Sequence, residues 1–431
     1  MVPQQPSGLP APQGHRVSDA APAQRNRQGH QTPADWRRPG ASPFPLRRNP
    51  PMDFKLPVEL QRLREQIVDI ATTKMIPTAK AAGEMHGPNR DIQRILAEVT
   101  PHIYPVECGG RLEHRQRSLA ICVLREEMSR LCPDADHMFA QQGLCGTAIL
   151  FGGTDEQKRR FVPAIANMDR LASFAVTEES GSDAGGLKTT AVASGDQWVL
   201  NGSKRLISHA GVAGTYVIFA STDPSQRAKG VSAFVVEEGT PGLSGKLMNF
   251  MVPYVVGELE LADCHIPRDN ILGQPGEGFR WAMQTLDVFR AAVGAHSVGF
   301  AQGALDLALD YAQRRELTKH QAIQAKLAEM ATEIQAARLM VWQAAWLKDE
   351  GQDRQASMAC AMAKMYASEM AVRVVNKGVQ IMGGDGLNTR YFMQRYYREV
   401  RGTTIYEGTS EIQRYVISRQ LLREARPYEG P

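Results

Sequence analysis

The chain has 431 residues, of which 43% are hydrophobic and 22% charged, and its formal net charge at pH 7 is +4. This composition is typical of an ordinary globular protein that is large enough for more than one packed unit. The slight charge, without clusters of Lys and Arg interleaved with aromatic residues, excludes a nucleic-acid-binding protein. No apolar run approaches the roughly 18 residues that a membrane-spanning helix needs.

The first 51 residues differ from the rest of the chain. They are rich in Pro, Gln, Arg and Gly, contain no Lys, and carry only Asp19 and Asp35 as acids. This bias predicts a disordered extension over residues 1–51. An Arg-rich, acid-poor segment is also a feature of organelle transit peptides, but the many prolines would prevent the amphipathic helix that such a peptide needs.

Helical periodicity begins directly after this extension, where Leu60, Leu63 and Ile67 fall on one helix face. The pattern predicts helices over 53–75, 89–99, 116–131, 135–151 and 155–167. These helices predict an N-terminal helical domain over residues 52–170.

The pattern then changes to short, alternating or β-branched runs. The predicted strands are 172–177, 189–193, 197–200, 215–220, 231–237 and 257–262. Asn201-Gly202 directly follows the third of these strands and predicts a hairpin turn. A middle β-domain over residues 171–275 follows from this pattern.

Helical periodicity returns after residue 276 and lasts to the end of the chain. The predicted helices are 277–314, 320–348, 354–382, 390–399 and 410–425. They predict a C-terminal helical domain over residues 276–431. The sequence therefore predicts an α+β fold that is mainly α, with a β-domain between two helical bundles.

The six cysteines are scattered along the chain without any Cys-x-x-Cys pair, and no secretory signal is visible. These features predict reduced thiols in the cytoplasm, or in the mitochondrial matrix if the source is eukaryotic. No metal site is predicted.

The stretch from Ile405 to Gln413 combines a carboxylate, a glycine and the start of a helix. Glu407 directly precedes Gly408, and Ser410 and Gln413 have the spacing of a helix capping box. A glutamate on such a loop could act as a general base, and the exposed N–H groups of the loop could hold an oxyanion. The alternative is a solvated loop glutamate before an ordinary helix.

A second stretch of chemical interest runs from Thr177 to Gly186 and is rich in Gly and Ser. Where a strand opens into such a loop, its hydroxyls and N–H groups can bind a ring carbonyl or a phosphate. Such clusters are also common in plain turns.

Three segments near the C-terminus carry a resemblance to a known family. They are Gln380-Ile-Met-Gly383-Gly384-Asp-Gly386, Tyr397-Arg398-Glu399 and Thr404-Ile-Tyr406-Glu407-Gly408-Thr409. These segments resemble the acyl-CoA dehydrogenase family, and the match in residue type and order runs from about Met52 to Arg423. The resemblance implies FAD held between the β-domain and the C-terminal bundle, and a homotetramer. It also implies α,β-dehydrogenation of an acyl-CoA thioester in fatty acid metabolism, with an electron-transferring flavoprotein as the partner.

The resemblance also implies roles for individual residues. Glu407 would be the catalytic base, and Gly408, Asp287 and Arg290 would contact the substrate. The implied flavin contacts are Thr177, Ser182, Ser208, Arg315, Gln380, Gly383, Gly384 and Thr409. Among these, Arg315 and the glycine segment would reach the flavin of a neighbouring subunit.

The chain departs from the family pattern at several of these places. Leu206 replaces a tryptophan that shields the flavin, and His209 replaces an asparagine; this histidine could line the pocket or be a structural residue. The loop after Glu178 is one residue shorter than usual. The Phe-Gly turn that normally follows the arginine at Arg315 is missing, which would weaken cofactor affinity. Met251-Val-Pro-Tyr254 stands where Gly-Ile-Arg is usual, so the substrate entrance should be unusual.

Two other functions remain open. One is a sibling reaction on the same fold, such as an enoyl-CoA reductase, a desulfinase or a flavin oxygenase. The other is a flavin-poor scaffold that keeps only the groove for acyl-CoA. Phe289 stands where some relatives carry their base, so Glu407 is the only base in a family position.

Overall fold

The computed structural model describes residues 55–85, 87–112 and 116–425, and the predicted extension over 1–51 lies outside them. The first block is helical. Its helices are α1 (Val58–Ile70), α2 (Ile76–Ala82), α3 (Arg90–Leu96), α4 (Arg117–Leu131), α5 (Pro133–Gly152) and α6 (Asp155–Ala166). A wider turn, Ala71–Met75, joins α1 to α2, so the predicted first helix extends further than expected. Pro77 lies just after this wider turn, and because it has no N–H it leaves one hydrogen bond out of the continuous helix.

The middle block is a seven-stranded sheet. Its strands are β1 (Ala172–Ala175), β2 (Thr190–Ser194), β3 (Gln197–Ser208), β4 (Thr215–Ser221), β5 (Val231–Glu237), β6 (Leu243–Leu247) and β7 (Val256–Pro267). The strand order is β1-β4-β2-β3-β7-β6, and β5 pairs with β4. Strand β4 is parallel to β1 and antiparallel to β5, and β3 is antiparallel to both β2 and β7.

The hairpin turn predicted at Asn201-Gly202 is wrong. Both residues lie inside β3, and the chain reverses between β2 and β3 at Gly195, whose φ is +60°. Gly202 has a φ of +141°, and a Cβ there would lie 2.7 Å from the Cα of Thr189. This glycine therefore allows a close approach of two strands where the register of β3 against β7 shifts.

The last block is helical, as predicted. Its helices are α7 (Gly278–Arg314), α8 (Gln321–Asp349), α9 (Asp353–Met382), α10 (Met393–Thr403) and α11 (Ser410–Glu424). The observed order of helices, sheet and helices confirms the predicted fold class. The division into domains at residues 170 and 275 remains our prediction.

All six cysteines are free and buried, and burial raises the pKa of each thiol. They lie in the N-terminal helical block, in β7 and in α9. Among the described helices, none is both long and apolar enough to cross a membrane.

Candidate functional site

A cavity of about 1640 Å³ lies against the sheet loops, α5, α7 and the segment that leads into α11. A pocket for one small ligand measures roughly 300–1,000 Å³, so this cavity has room for two ligands side by side. The stretch predicted to carry the chemistry, from Ile405 to Thr409, forms part of its wall.

Glu407 lies on the short connection between α10 and α11 and has a left-handed backbone, with φ +53°. Gly408 follows with φ +93°. Two side chains donate hydrogen bonds to the Gly408 carbonyl, Lys364 Nζ at 2.7 Å and the Gln413 amide at 2.9 Å. These bonds fix the conformation of the connection. A non-glycine residue is held in this conformation only when its surroundings require it, which is common at functional sites.

The predicted capping box of Ser410 and Gln413 is wrong by one residue. The N-cap of α11 is Thr409, whose hydroxyl accepts a hydrogen bond from the Ile412 N–H at 3.3 Å. Ser410 is the first helical residue and is buried. The sequence pattern correctly indicated a helix start, but the N-cap of α11 lies one position earlier than predicted, directly after the left-handed residues Glu407 and Gly408.

The carboxylate of Glu407 is partly buried and has no hydrogen-bond or ion-pair partner among the described residues. No described residue hydrogen-bonds to its Oε2 atom, which is buried. Burial raises the pKa of Glu407 to about 7, although the positive charges of Arg125 and Lys364 partly oppose this. Burial also lowers the pKa of Lys364 to about 8. A carboxylate with a pKa near neutral pH is suited to accept a proton.

A buried chain of hydrogen bonds supports the residue next to this base. The Tyr406 hydroxyl donates to His296 Nε2 at 2.7 Å, and His296 Nδ1 lies 2.6 Å from Asp136 Oδ2. Arg125 donates two hydrogen bonds to the same carboxylate, at 3.0 and 2.8 Å. Burial lowers the pKa of His296 to about 4, so its ring is neutral. The ring contacts Asp136 through Nδ1 and Tyr406 through Nε2, and it thereby fixes the orientation of the Tyr406 hydroxyl.

The side-chain atoms of Asp136, His137 and His296 come within 4.8 Å of one another, a spacing at which three such residues could hold a metal ion. Each of the three already has a hydrogen-bond partner, since Arg125 binds the Asp136 carboxylate, Glu399 binds His137 Nε2 and Tyr406 binds His296 Nε2. We therefore interpret these three residues as parts of a hydrogen-bond network and not as metal ligands.

Asp287 and Arg290, predicted to contact the substrate, form an ion pair on α7 at 2.5 Å and line the cavity. Arg290 is only 6% exposed, and its Nε atom has no hydrogen-bond partner among the described residues. Burial raises the pKa of Asp287, and Arg290 partly opposes this. Phe289, between them, is fully buried, and its ring packs on Gly143.

The sheet side of the cavity carries the hydroxyl residues predicted for the flavin. Thr177, Ser182 and Ser208 all line it, as do Leu206 and His209. Leu206 is 48% exposed and offers an apolar surface. A flat ring with polar edges fits a wall of this kind, with hydroxyls around an apolar patch.

His209 is a structural residue that also reaches the cavity wall. Its ring is buried, and Nδ1 donates to the Ala172 carbonyl at 2.9 Å. Burial lowers the pKa of His209 to about 4, so the ring is neutral.

The residues predicted to reach a neighbouring subunit lie together on an exposed surface. The guanidinium carbon of Arg315 lies 5.9 Å from the centre of the Tyr311 ring, and the Tyr311 hydroxyl donates a hydrogen bond to Asp385 at 2.8 Å. Asp385 belongs to the turn Gly383–Leu387, next to the exposed Gln380. In the described chain these residues are not part of the cavity wall, and their role toward a second subunit stays a prediction.

Sequence reasoning missed Lys364, Arg125, Asp136 and His296. Each is a buried polar or charged residue inside a helix of which many residues are buried. The signal that could have found them is the polar residue itself at a core-facing position, because such residues are rarely buried unless they are paired.

Three family profiles match the chain. They are "Acyl-CoA dehydrogenase, N-terminal domain" over residues 57–169, "Acyl-CoA dehydrogenase, middle domain" over 173–254 and "Acyl-CoA dehydrogenase, C-terminal domain" over 276–422.

Known proteins give the same result. The mitochondrial short-chain specific acyl-CoA dehydrogenase of Homo sapiens is 41% identical over 386 residues, which cover 86% of this chain and 92% of that protein. The structure of butyryl-CoA dehydrogenase from Megasphaera elsdenii is 34% identical and has a TM-score of 0.83, covering 86% of this chain and 100% of that chain. A structure described under electron transferring flavoprotein of Acidaminococcus fermentans and flavin-based electron bifurcation is 39% identical, with a TM-score of 0.83 and the same coverage.

Proposed function

The chain belongs to the acyl-CoA dehydrogenase family of FAD-dependent oxidoreductases, and we propose that Glu407 is its catalytic base. The observation that carries this proposal is the carboxylate itself. It lies on the wall of a cavity with room for two ligands, on a strained connection held from both sides, and its pKa is about 7. The established reaction class is the α,β-dehydrogenation of an acyl-CoA thioester to a 2-enoyl-CoA.

In the proposed reaction, the substrate thioester lies with its α-carbon beside the Glu407 carboxylate. Among the described residues, the N–H groups of Glu407 and Gly408 have no backbone acceptor. The Glu407 N–H can therefore donate to the thioester carbonyl and stabilise the negative charge that develops on its oxygen. The Glu407 carboxylate then removes the α-proton as a general base. This step leaves Glu407 protonated, and the enoyl thioester is complete once the β-carbon has also lost a hydride.

FAD, when bound, accepts the hydride that leaves the β-carbon. The residues that would hold it are Thr177, Ser182, Ser208 and Thr409 on the cavity wall. Leu206 would contact the ring face. The hydroxyls and the apolar patch of this wall fit such a group, and the cavity is large enough for it beside the substrate.

A short acyl group is the substrate that the relatives favour, since one is described as short-chain specific and another as a butyryl-CoA dehydrogenase. The test is anaerobic mixing of the FAD-loaded protein with butyryl-CoA while the visible flavin bands are followed. We expect bleaching whose rate rises with pH through about 7, because only ionised Glu407 can accept the proton. The Glu407→Gln variant should bind FAD and ligand and show no bleaching.

A matched control is Glu411→Gln, which removes an exposed carboxylate from the first turn of α11. This variant should bleach like the wild type. Undiminished bleaching in Glu407→Gln would exclude Glu407 as the base. Flavin that stays oxidised with every saturated thioester would favour the enoyl-CoA reductase direction, which also uses this fold.

The electrons should then pass to an electron-transferring flavoprotein, and this partner is supported by the structural neighbour described for such a system. Reoxidation of the bleached protein by a purified electron-transferring flavoprotein tests the partner. Failure of all such flavoproteins to reoxidise it, while a dye acceptor succeeds, would contradict this part of the proposal.

A homotetramer is supported by apolar side chains that a single chain leaves exposed, among them Leu387 at 66%, Leu421 at 47% and Leu422 at 76%. Exposed apolar side chains mark subunit contacts where they form a contiguous patch, as the neighbouring Leu421 and Leu422 could begin to do. Light scattering at several protein concentrations tests this assembly, and a monomer at micromolar concentration would refute it. The buried free cysteines fit a reducing compartment such as the cytoplasm.

A further inference from the structure

The loop between β1 and β2 carries free N–H groups on the sheet side of the cavity. Residues 181–185 of this loop line the cavity, and the sequence alone fitted either a phosphate-binding loop or a plain turn. The N–H groups of Ser182, Asp183 and Gly185 have no backbone acceptor among the described residues. Several free N–H groups within one short loop are suited to bind an anion.

An arginine from a second segment lies against this loop. Arg227 belongs to the turn Pro224–Gly230 between β4 and β5, and its Nη2 atom lies 2.8 Å from Asp183 Oδ2. A Cβ on Gly186 would lie 3.3 Å from the same nitrogen atom, so the guanidinium packs directly on the loop backbone. Arg227 also lines the cavity beside the loop.

The backbone of Arg227 is strained. Its φ of +49° and ψ of −124° lie in a region that residues other than glycine rarely adopt. A residue keeps such a conformation only where its surroundings require it, and residues of this kind cluster at ligand-binding sites. The strain favours a binding role for Arg227 over that of an ordinary surface arginine.

The guanidinium of Arg227 has hydrogen-bond donors to spare. Only its Nη2 atom donates to the protein, and both of its hydrogen bonds go to Asp183. A guanidinium has five N–H donors in a planar fork, and those on Nε and Nη1 have no partner among the described residues. Arg227 can therefore bind a phosphate while it stays paired with Asp183.

The acids of this loop are each paired with a basic residue. The pairs are Glu178 with Lys204 at 2.7 Å, Glu179 with Arg205 at 3.0 Å and Asp183 with Arg227 at 2.8 Å. Among the described residues of the middle block that line the cavity, Arg227 is the only Lys or Arg. A phosphate that approaches the loop from the cavity therefore meets one cation and free N–H groups, and no unpaired carboxylate of the loop opposes it.

We propose that Arg227, together with the free N–H groups of the loop, binds a phosphate group of a ligand in the cavity. This inference rests on the proposed function and adds a residue to its binding site. Both ligands of that function carry phosphates, FAD in its pyrophosphate and the acyl-CoA in its CoA part. Ser182, the predicted flavin contact, belongs to the same loop, so we expect the pyrophosphate of FAD at Arg227.

The first arm of the test measures the release of FAD from the loaded protein on serial dilution, followed by FAD fluorescence. We expect Arg227→Gln to raise the dissociation constant of FAD roughly tenfold, the effect of one charge-assisted hydrogen bond. Asp183→Asn should hold FAD at least as tightly as the wild type, because it removes a negative charge beside the phosphate. An ion pair with only a structural role would lose the same affinity whichever partner is replaced.

The second arm measures substrate-side binding to the FAD-loaded protein by calorimetry. Its ligands are crotonyl-CoA and S-crotonyl pantetheine, of which only the first carries phosphates. Both are 2-enoyl thioesters, so their binding does not depend on the dehydrogenation step. If the phosphate at Arg227 belongs to CoA, Arg227→Gln should weaken crotonyl-CoA roughly tenfold and leave S-crotonyl pantetheine unchanged.

The matched control is Arg205→Gln. Arg205 pairs with Glu179 of the same loop but is not among the residues that line the cavity. This variant should bind FAD and both thioesters like the wild type.

A loss confined to FAD would assign the phosphate at Arg227 to the cofactor, and a loss confined to crotonyl-CoA would assign it to the substrate. Unchanged binding of both ligands in Arg227→Gln would overturn the inference and leave the proposed function standing. Equal losses in Arg227→Gln and Asp183→Asn, or a similar loss in Arg205→Gln, would overturn it as well. A wild-type protein that binds neither thioester would contradict the proposed function, and the release of FAD would still decide this inference.

Discussion

Replacing Glu407 with Gln should stabilise the folded protein at alkaline pH while it removes activity. The pKa of this carboxyl is about 7 in the folded protein, against an ordinary value of 4.5. A raised folded-state pKa contributes stability below about pH 4.5, and that contribution is lost as the pH rises through about 7. At pH 8 the folded wild type must therefore hold an ionised, partly buried carboxylate that the unfolded chain leaves in water.

The size of the effect follows from the difference between the two pKa values. At about 1.4 kcal/mol per pKa unit, the ionised carboxylate lowers the free energy of unfolding by at most about 3 kcal/mol at pH 8. At pH 5 the same group remains protonated in the folded state, and the cost is below about 1 kcal/mol. Glu407→Gln should therefore gain about 2 kcal/mol more at pH 8 than at pH 5.

The assay is urea unfolding of both proteins at the two pH values, at equal FAD saturation checked from the visible absorbance. Glu411→Gln is the control, because Glu411 is exposed, and hydrogen bonds from its own backbone N–H and from the Thr409 side chain lower its pKa. This control should show no gain at pH 8. A Glu407→Gln variant that gains equally at both pH values, or loses stability at pH 8, would refute a raised pKa for this partly buried carboxylate.

Three further predictions concern the groups around this base. Lys364→Met removes a positive charge that lowers the pKa of Glu407, so the midpoint of the pH profile of flavin bleaching should rise by roughly one pH unit. An unchanged midpoint would contradict this charge interaction between Lys364 and Glu407. Thr409→Ala removes the N-cap of α11 and should cost about 1 kcal/mol in urea unfolding, whereas no loss would mean that the cap is unimportant. Gly408→Ala should cost roughly 1 kcal/mol more than Gly351→Ala, since both positions have positive φ but only the Cβ at Gly408 would meet another atom, at 2.6 Å; equal losses would argue against this crowding.

Much of the fold could be predicted from local pattern. The periodicity of Leu60, Leu63 and Ile67 identified α1, and all three residues are buried. Strand β6 was missed because its sequence is short and contains Gly and Lys, so nothing in it resembles a buried strand. The turn at Asn201-Gly202 was misplaced because the glycine serves contact with Thr189, a neighbour that only the folded sheet brings close.

The candidate site divides in the same way. Glu407 was predictable because the Glu-Gly pair and the helix start that follows it are adjacent in sequence. His296 was not, because its partner Tyr406 is 110 residues away and its surroundings on α7 are apolar. Lys364 contacts Gly408 across 44 residues, and no local pattern marks it. Residues that support a base from behind are recognised only once packing has placed them.

The reactivity of the six buried thiols can show which part of the protein unfolds first. Because each is shielded in the native state and its thiolate is disfavoured, a maleimide or iodoacetamide should react only when the surrounding segment unfolds. Cys145 reports on α5, Cys264 on the sheet, and Cys360 on the helix that carries Lys364. Mass spectrometry of alkylated peptides, after timed exposure to mild denaturant, would rank these regions by opening free energy without any engineered label. The protein therefore carries its own set of unfolding reporters, distributed over all three structural blocks.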